Sequence, residues 1–485
     1  MVPSTYNFIL NPMLAGLGAN DSQESLLRAL PSIAALLVIF LASALGSRIG
    51  ERRLIFFGSI LFTAGCAIVA AAPVLDVATL GLVLLSAASS AMAVVGLGLL
   101  SSRVTNAKAR ATAFASFALV TPIVYMAMPV VAGLMLDNWS WRWVAVMWTV
   151  GGLVLIWGVW TFFQKDEVRN ASAELWTPAL AGLALAAGVQ TITALSNSGL
   201  LSPAVLVRAA VTVVSAGAFI WLYRRTSNSS ISLAALKRGG LLVLLVVVIV
   251  VPFVNLWYYM TIGYQYVFGM NAVQTAVLMV PAQLAGVGGA LVARKFIHAR
   301  GITFTGVVML GGLAVALLTS ILIVVDTPVW IIVAIMAFYA MASVGAGVPV
   351  TNSIMNTAPA GEEGSASAFR GAATHVGTAL GVVIMSTIVY SALTGSIESS
   401  LGSEGLQNPQ SAEIAASIRD GSSPDEVSAQ YAVPVSEVNE INDSQKQAMI
   451  AGLHAHGLWG AVFIGTASGI FWFARRRQTK ATHDK

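Results

Sequence analysis

The chain has 485 residues, 57% of them hydrophobic and only 10% charged, with a mean hydropathy of +0.81. Soluble chains carry about a quarter charged residues, so there is too little charge here to clothe a water-facing surface, and the composition points to an integral membrane protein. The net charge is +5, yet residues 395–446 hold nine acids against two bases, a net −7 that leaves +12 elsewhere; this asymmetry reports membrane orientation, and nucleic-acid binding is not expected.

A crossing helix needs about 20 apolar residues, because lipid offers no partner to free backbone groups. From the N-terminus, residues 2–19 form a short candidate interrupted by Asn7, Asn11 and Pro12. Thirteen complete spans follow, at 27–46, 54–73, 78–101, 111–136, 143–163, 177–197, 203–223, 240–266, 272–293, 302–325, 328–352, 366–393 and 447–474. No removable signal peptide is expected, since no basic stretch precedes a small-residue cleavage site. Cys66, the single cysteine, excludes an intrachain disulfide and a multi-cysteine metal site.

Basic residues set the orientation. Twenty of the twenty-six Lys and Arg fall in alternate connections, at 48–53, 103–110, 165–169, 224–238, 294–300 and 475–485, which places those connections and the C-terminus in the cytoplasm. The acidic 395–446 segment then lies outside. It is too polar to span and reads as a solvated cap, with short helices expected at 411–419 and 424–431.

A weak internal repeat is visible. Ser43-Ala-Leu-Gly-Ser-Arg48 ends the second span and Gly289-Ala-Leu-Val-Ala-Arg294 the tenth; Ala111-Thr-Ala-Phe114 opens the fifth and Ala366-Ser-Ala-Phe369 the thirteenth. The offsets, 246 and 255, nearly agree. Two related halves with a site between them are a transporter architecture.

With these motifs in order, the chain resembles the major facilitator superfamily, in its fourteen-span drug/proton antiporter branch. The similarity runs to about residue 475. The family's loop after span two appears as Ser43-Ala-Leu-Gly-Ser-Arg-Ile-Gly-Glu-Arg-Arg53, and its span-five element as Met128-Pro-Val-Val-Ala-Gly133, followed by Ser140-Trp-Arg-Trp143. Val344-Gly-Ala-Gly-Val-Pro349 is similar to the glycine-rich stretch of span twelve, and the segment from Gly364 to Gly381 follows the span-thirteen pattern.

The resemblance implies an all-α polytopic fold with two pseudo-symmetric six-helix bundles and an inserted pair of transmembrane helices. The expected divisions are 1–163 for the first bundle with a shortened first helix, and 164–226 for the linker and inserted pair. Spans nine to thirteen occupy 227–394, the acidic loop 395–446, the last span 447–474 and the basic tail 475–485. It also implies gating roles for Arg48, Gly50, Arg52, Arg53, Pro129 and Gly133. Read as bare residues, the arginines are equally a positive-inside anchor.

Three departures bear on coupling. The aspartate of the span-two loop is replaced by Ser47, no Lys or Arg lies between Arg53 and Arg103, and the acid-bearing part of a normal first span has no counterpart. Thr5 to Pro12 fits the outer half of such a span, so a start upstream is expected. Proton coupling is left open by these changes.

None of the twenty-one acids lies in the centre of a span, which disfavours selection of cations. The intramembrane ionisable groups are basic instead. An arginine at the membrane centre costs about 2.5–3.5 kcal/mol on insertion scales and should face a cavity or partner. Arg370 and His375, roughly 7 Å apart along span thirteen, are candidates for holding an anionic group. The opposing reading has Arg370 reaching to the cytoplasmic interface and His375 packed as a neutral ring.

In span nine, Trp257 and Tyr258 are candidate cavity residues beside Asn255 and Tyr259, offering stacking area with a few polar anchors. Tyr264 and Tyr266 read as an interfacial belt. Asn352 and Asn356, one turn apart, are candidates for gating, binding or helix–helix hydrogen bonding. Arg208 reads as structural, Trp141 and Arg142 as a corner pairing with Asp137, and His454 and His456, on different faces, as interfacial.

No phosphate-binding loop, nucleophile elbow, catalytic carboxylate pair or metal-ligand cluster is present, so no enzyme activity, cofactor or metal is expected. The expected function is a secondary active transporter, an exporter of hydrophobic or amphipathic small molecules working by alternating access in the cell membrane. The alternatives are a proton-coupled multidrug exporter with a mis-assigned start, and a non-transporting scaffold or sensor. Expected partners are a small-molecule substrate, with protons as a candidate co-substrate, and the bilayer; a monomer is expected.

Overall fold

The computed structural model describes residues 2–18, 21–104, 106–163, 174–198, 201–226, 240–270, 272–358, 362–407 and 424–483, with isolated positions 233, 236, 413, 414 and 417. The described residues are helical. The first half comprises α1 (Val2–Gly16), α2 (Asp21–Ile49), α3 (Glu51–Ala71), α4 (Leu75–Arg103), α5 (Ala107–Asn138) and α6 (Trp141–Phe162). Next come α7 (Trp176–Ser198) and α8 (Pro203–Arg225), the inserted pair. The second half comprises α9 (Leu241–Val250), α10 (Leu256–Tyr266), α11 (Ala272–Thr319), α12 (Val329–Thr357), α13 (Glu363–Gln407), the short α14 (Pro424–Tyr431) and α15 (Val435–His483).

Among the described residues, twelve helices are long and apolar enough to cross a membrane. One of these, α11, holds two of the expected spans. It breaks at Gly301, whose φ of 83° and ψ of 171° require a residue without a side chain. Spans eight and nine of the hydropathy pattern map onto α8 and onto α9 with α10; the latter two are separated by a 3-10 turn at Val251–Val254.

Local chemistry sets the helix ends. Asn106 caps α5 by accepting from the backbone N–H groups of Lys108 at 3.0 Å and Ala109 at 3.1 Å. Ser140 caps α6 through Arg142 N–H at 3.1 Å, and Ser202 precedes Pro203 at the first turn of α8. Gly50 joins α2 to α3 at φ 95°, a left-side conformation that suits glycine.

The packing has three parts. One apolar cluster, including Ile9, Leu27, Cys66, Leu82 and Trp148, binds α1 into the first half at the end away from the basic connections. There, Trp148 Nε1 donates to Thr5 Oγ1 at 2.8 Å. A second cluster joins α2, α3, α4, α6 and α7 to Ala368, Ala372 and Ala379 of α13. The largest holds the second half together and draws in Leu97, Ala111, Phe114 and Ala115 from the first. Ala111 and Ala366, equivalent in the sequence repeat, are both fully buried in that cluster.

The inserted pair is peripheral. Thr191 and Thr212 hydroxyls meet at 3.3 Å between α7 and α8. α7 lies so close to α2 that a side chain at Gly182 would strike the Leu37 carbonyl. Val207, Val213 and Val214 of α8 are exposed, as suits a surface facing lipid.

The helices of the acidic region run further than hydropathy implies. α13 continues to Gln407 and α15 starts at Val435 rather than near 447. Ile414, Val427, Val438 and Ile441 form a small buried cluster that packs α14 against the first turns of α15. The short helix expected at 424–431 is α14; most of 411–419 lies outside the described residues.

Candidate transport site between the two halves

The two halves meet most closely at the end carrying the basic connections. Ser367 Oγ on α13 donates to the Val94 carbonyl of α4 at 2.7 Å in a buried setting. One turn nearer that end, Gly98 and Gly364 cross: a Cβ on Gly98 would sit 3.3 Å from Gly364 Cα. A Cβ on Gly364 would meet Ser43 of α2. Phe40 and Phe369 pack edge to face with centroids 5.5 Å apart. At the rim, Arg110 of α5 donates through Nη1 to Asn356 Oδ1 of α12, and His298 Nε2 approaches the Lys108 carbonyl at 3.2 Å.

At the opposite end the outer elements pack within their own halves. α1 rests on α5 and α6, and α10 on α11 and α15.

Arg370 sits one turn beyond Ser367, about 4.5 Å further from the closed end. Its Nε donates to Thr351 Oγ1 of α12 at 3.2 Å, and no described carboxylate pairs with it. The side chain thus turns toward α12. Next to Thr351, Asn352 is buried at 1% exposure; its Oδ1 accepts from Asn356 Nδ2 at 3.0 Å, while its own Nδ2 has no hydrogen-bond partner among the described residues. The structure therefore brings Arg370 and Asn352 together along the α12–α13 contact just above the closed end, with Asn356 linking Asn352 to the rim. His375 lies further along α13, half-buried and without a hydrogen-bond partner among the described residues.

Span nine is broken. Pro252 begins a 3-10 turn, Asn255 adopts φ −77° and ψ 76°, and α10 restarts at Leu256. A break frees backbone groups that lipid cannot satisfy. Tyr339 of α12 fills this need: its hydroxyl donates to the Val254 carbonyl at 2.7 Å and accepts from Leu256 N–H at 3.3 Å. Glycines let α13 lie directly on the break and the turn before it, since side chains at Gly377 and Gly381 would collide with the backbone of Ile249 and Phe253.

Trp257 is half-buried and stacks edge-on to Tyr339 at 6.2 Å, so it belongs to this break. Tyr258 is 60% exposed and touches Tyr259 at 5.3 Å; it is not a deep residue.

Two expectations are corrected. Tyr264 is not part of an interfacial belt but fully buried in the second-half core, because α10 packs on α11 and α15. His456 is not interfacial either. It is fully buried and packs its ring on Tyr259 at 4.5 Å, whereas His454 Nε2 lies 2.7 Å from the Ile323 carbonyl. The side chains of Tyr266 and Asp137 lie outside the described residues. Arg142 donates instead to the Ala72 carbonyl at 2.9 Å and covers the Trp141 ring at 4.4 Å, and Arg208 is exposed.

The loop-motif residues act within the first half in this conformation. Arg52 donates to the Trp160 carbonyl in the last turn of α6 at 3.1 Å, complementing that helix end, and Ser47 bonds back to the Ala44 carbonyl at 2.8 Å. Arg48 and Arg53 are exposed, and Gly50 is buried. On α5, Pro129 is half-buried and nothing lies within 4 Å of a side chain built at Gly133. The close approach of α5 to α11 falls one span-half away, where a Cβ on Gly286 would lie 3.6 Å from Pro122.

Sequence reasoning passed over Ser367, Gly98, Phe40, Arg110, Tyr339 and the break itself. Pro252 followed by Asn255 in mid-span was the available signal for the break. The others are ordinary residue types whose importance comes from what they face.

A polytopic bundle of two halves joined at one end, with a broken span in the second half, has the build of a membrane transporter. The profile of the Major Facilitator Superfamily matches residues 1–382, and the chain belongs to this superfamily. Over 368 residues it is 24% identical to Multidrug resistance protein Stp of Mycobacterium tuberculosis, a match covering 74% of this chain and 67% of the relative. Over 456 residues it is 23% identical to Multidrug efflux pump LfrA of Mycolicibacterium smegmatis, covering 92% and 87%. The crystal structure of the human organic anion transporter MFSD10 is similar in fold, with a TM-score of 0.58 at 11% identity over 95% of this chain and 88% of its own.

Proposed function

We propose that this membrane transporter is a secondary active exporter of hydrophobic or amphipathic small molecules, anionic or neutral, working as a monomer by alternating access. In this reading the basic end faces the cytoplasm of a cell whose plasma membrane holds the protein, the C-terminus is inside, and the present conformation is outward-facing. The two bundles divide as the repeat implies, with the inserted pair at 164–226 between them.

The observation that carries the reading is the donor-rich group along the α12–α13 contact, one turn beyond the place where Ser367 meets the first half. Arg370 and the unpaired Asn352 amide offer hydrogen bonds without a described carboxylate nearby, which suits an acceptor-bearing cargo and not a cation. Relatives named for multidrug resistance and efflux support export of small molecules.

Reconstituted vesicles test it. Arg370→Ala should lower the rate for anionic amphiphiles about tenfold or more, the scale of one charge-assisted hydrogen bond, while neutral substrates lose less than about twofold. Equal loss for both classes overturns the anion role, and absence of movement for every candidate dye, drug or lipid overturns the transport reading.

A further inference from the structure

We infer that His456 is a proton-binding site whose occupancy moves the outer part of span nine and so drives the conformational cycle. The inference deepens the transporter reading by naming a coupling group in a chain whose spans lack central acids.

His456 lies in α15 with 0% exposure, and neither Nδ1 nor Nε2 has a hydrogen-bond partner among the described residues. Buried polar groups are nearly always paired, and an orphaned imidazole is unusual enough to call for a role. Its neighbour His454, by contrast, meets the Ile323 carbonyl at 2.7 Å.

The position is mechanically sensitive. The His456 ring packs on Tyr259, one turn past the break in span nine. On the same stretch of α15, Gly457 lies against Leu317 and Ser320, and a Cβ on Gly460 would sit 2.9 Å from Val254 Cγ1, at the break itself. α15 is therefore keyed to both sides of the interruption, with the histidine on the side that α10 can leave.

Protonation adds a second N–H and removes the ring's acceptor, so both nitrogens then need acceptors. The single tyrosine face cannot serve both. Parting α10 from α15 admits water to both nitrogens, so proton uptake favours the parted conformation and proton loss restores the packed one.

The other groups around the ring are few. α9, the 3-10 turn at Val251–Val254 and residues 302–322 of α11 carry no titratable side chain. α10 contributes Tyr258, Tyr259, Tyr264 and Tyr266, and α13 contributes Tyr390, Glu398 and Glu404 on this side, with Glu363, Arg370 and His375 nearer the basic end. Asp326 is exposed in the connection before α12. Toward the cap, α14 carries Asp425, Glu426 and Tyr431, and α15 carries Glu437, Glu440 and an Asp443–Lys446 pair at 3.6 Å. None of the described carboxylates is an acceptor for His456.

The test reads conformation directly. The full chain in lipid nanodiscs, with Cys66→Ser, carries spin labels at Val74→Cys and Val324→Cys, exposed positions on the two halves at the end away from the basic connections. Between about pH 8 and pH 5 the ratio of the two inter-label populations should change about tenfold, within the limit of a tenfold change per pH unit set by one linked proton. With His456→Gln the change should fall below about twofold.

If His456→Gln does not yield a monodisperse protein, Tyr259→Ala serves: it lets water reach the histidine without moving α10, and should flatten the response likewise. A parent without pH response, a response that survives both substitutions, or one abolished by His375→Gln in place of His456→Gln overturns the proposal. Failure of vesicle transport alongside an intact His456-dependent response removes the transport reading and leaves the proton site standing.

Discussion

Arg110 illustrates how much a single residue contributes across the boundary between halves. It holds the Val104 carbonyl through Nε at 2.8 Å and reaches Asn356 through Nη1, while Asn356 holds Asn352. A hydrogen bond with one charged partner in a partly wet setting is worth about 1 kcal/mol, so Arg110→Ala should move the balance roughly fivefold away from the conformation closed at the basic end. Accessibility of thiol probes at Val94→Cys, measured in the parent and the Arg110→Ala variant, checks this; unchanged labelling would show that the bond has no share in closure. At this scale the sequence was partly readable. Arg370, Asn352 and Asn356 stood out because a cation or an amide in an apolar run is conspicuous. Ser367 and Gly98 did not, since small residues are common in membrane helices and only the facing helix distinguishes a crossing point from filler.

Elements show the same division. Hydropathy marks out the apolar helices in their order, because length and apolarity are written locally. The turn at Gly301 was anticipated by the basic run 294–300, although the helix continues on both sides of it. The break in span nine depends on distant parts: Pro252 starts it, but Tyr339, 83 and 85 residues away from its backbone partners, makes it tolerable. Tyr339→Phe should leave one buried carbonyl and one N–H unpaired, at a cost of about 1–3 kcal/mol. A lowered thermal-unfolding midpoint, with faster amide exchange confined to 251–258, is the expected signature; a loss of protection spread evenly over the second half would contradict it. Tyr264 and His456 were misjudged for a related reason. The face each presents depends on packing partners far away in sequence, α11 and α15 around α10 for Tyr264, and Tyr259 for His456.

For the molecule as a whole, closure depends on three helices meeting at Ser43, Gly98 and Gly364. A Cβ on Gly364 would lie 3.6 Å from Ser43 Cβ, a separation suited to a disulfide. The pair Ser43→Cys and Gly364→Cys, with the buried Cys66 replaced, should crosslink under mild oxidation, stop transport almost completely and recover on reduction. Full activity in the crosslinked protein would mean that the halves need not separate there. The two-half organisation was legible in the repeat and in the order of motifs, because related sequences build related bundles. Which end closes was not legible, since it depends on contacts between residues hundreds of positions apart.

The continuity of α13 has one more consequence. This helix begins at the glycine crossing, carries Arg370, lies against the break in span nine through Gly377 and Gly381, and then continues to Gln407 beyond the apolar stretch. Its 45 residues make a rod about 67 Å long. Pivoted near the crossing, such a rod is a lever arm: a tilt of a few degrees at the gate becomes a displacement of several ångströms at the acidic cap. Under the proposed alternating access, opening at the basic end is then expected to appear as a movement at the far end of the molecule.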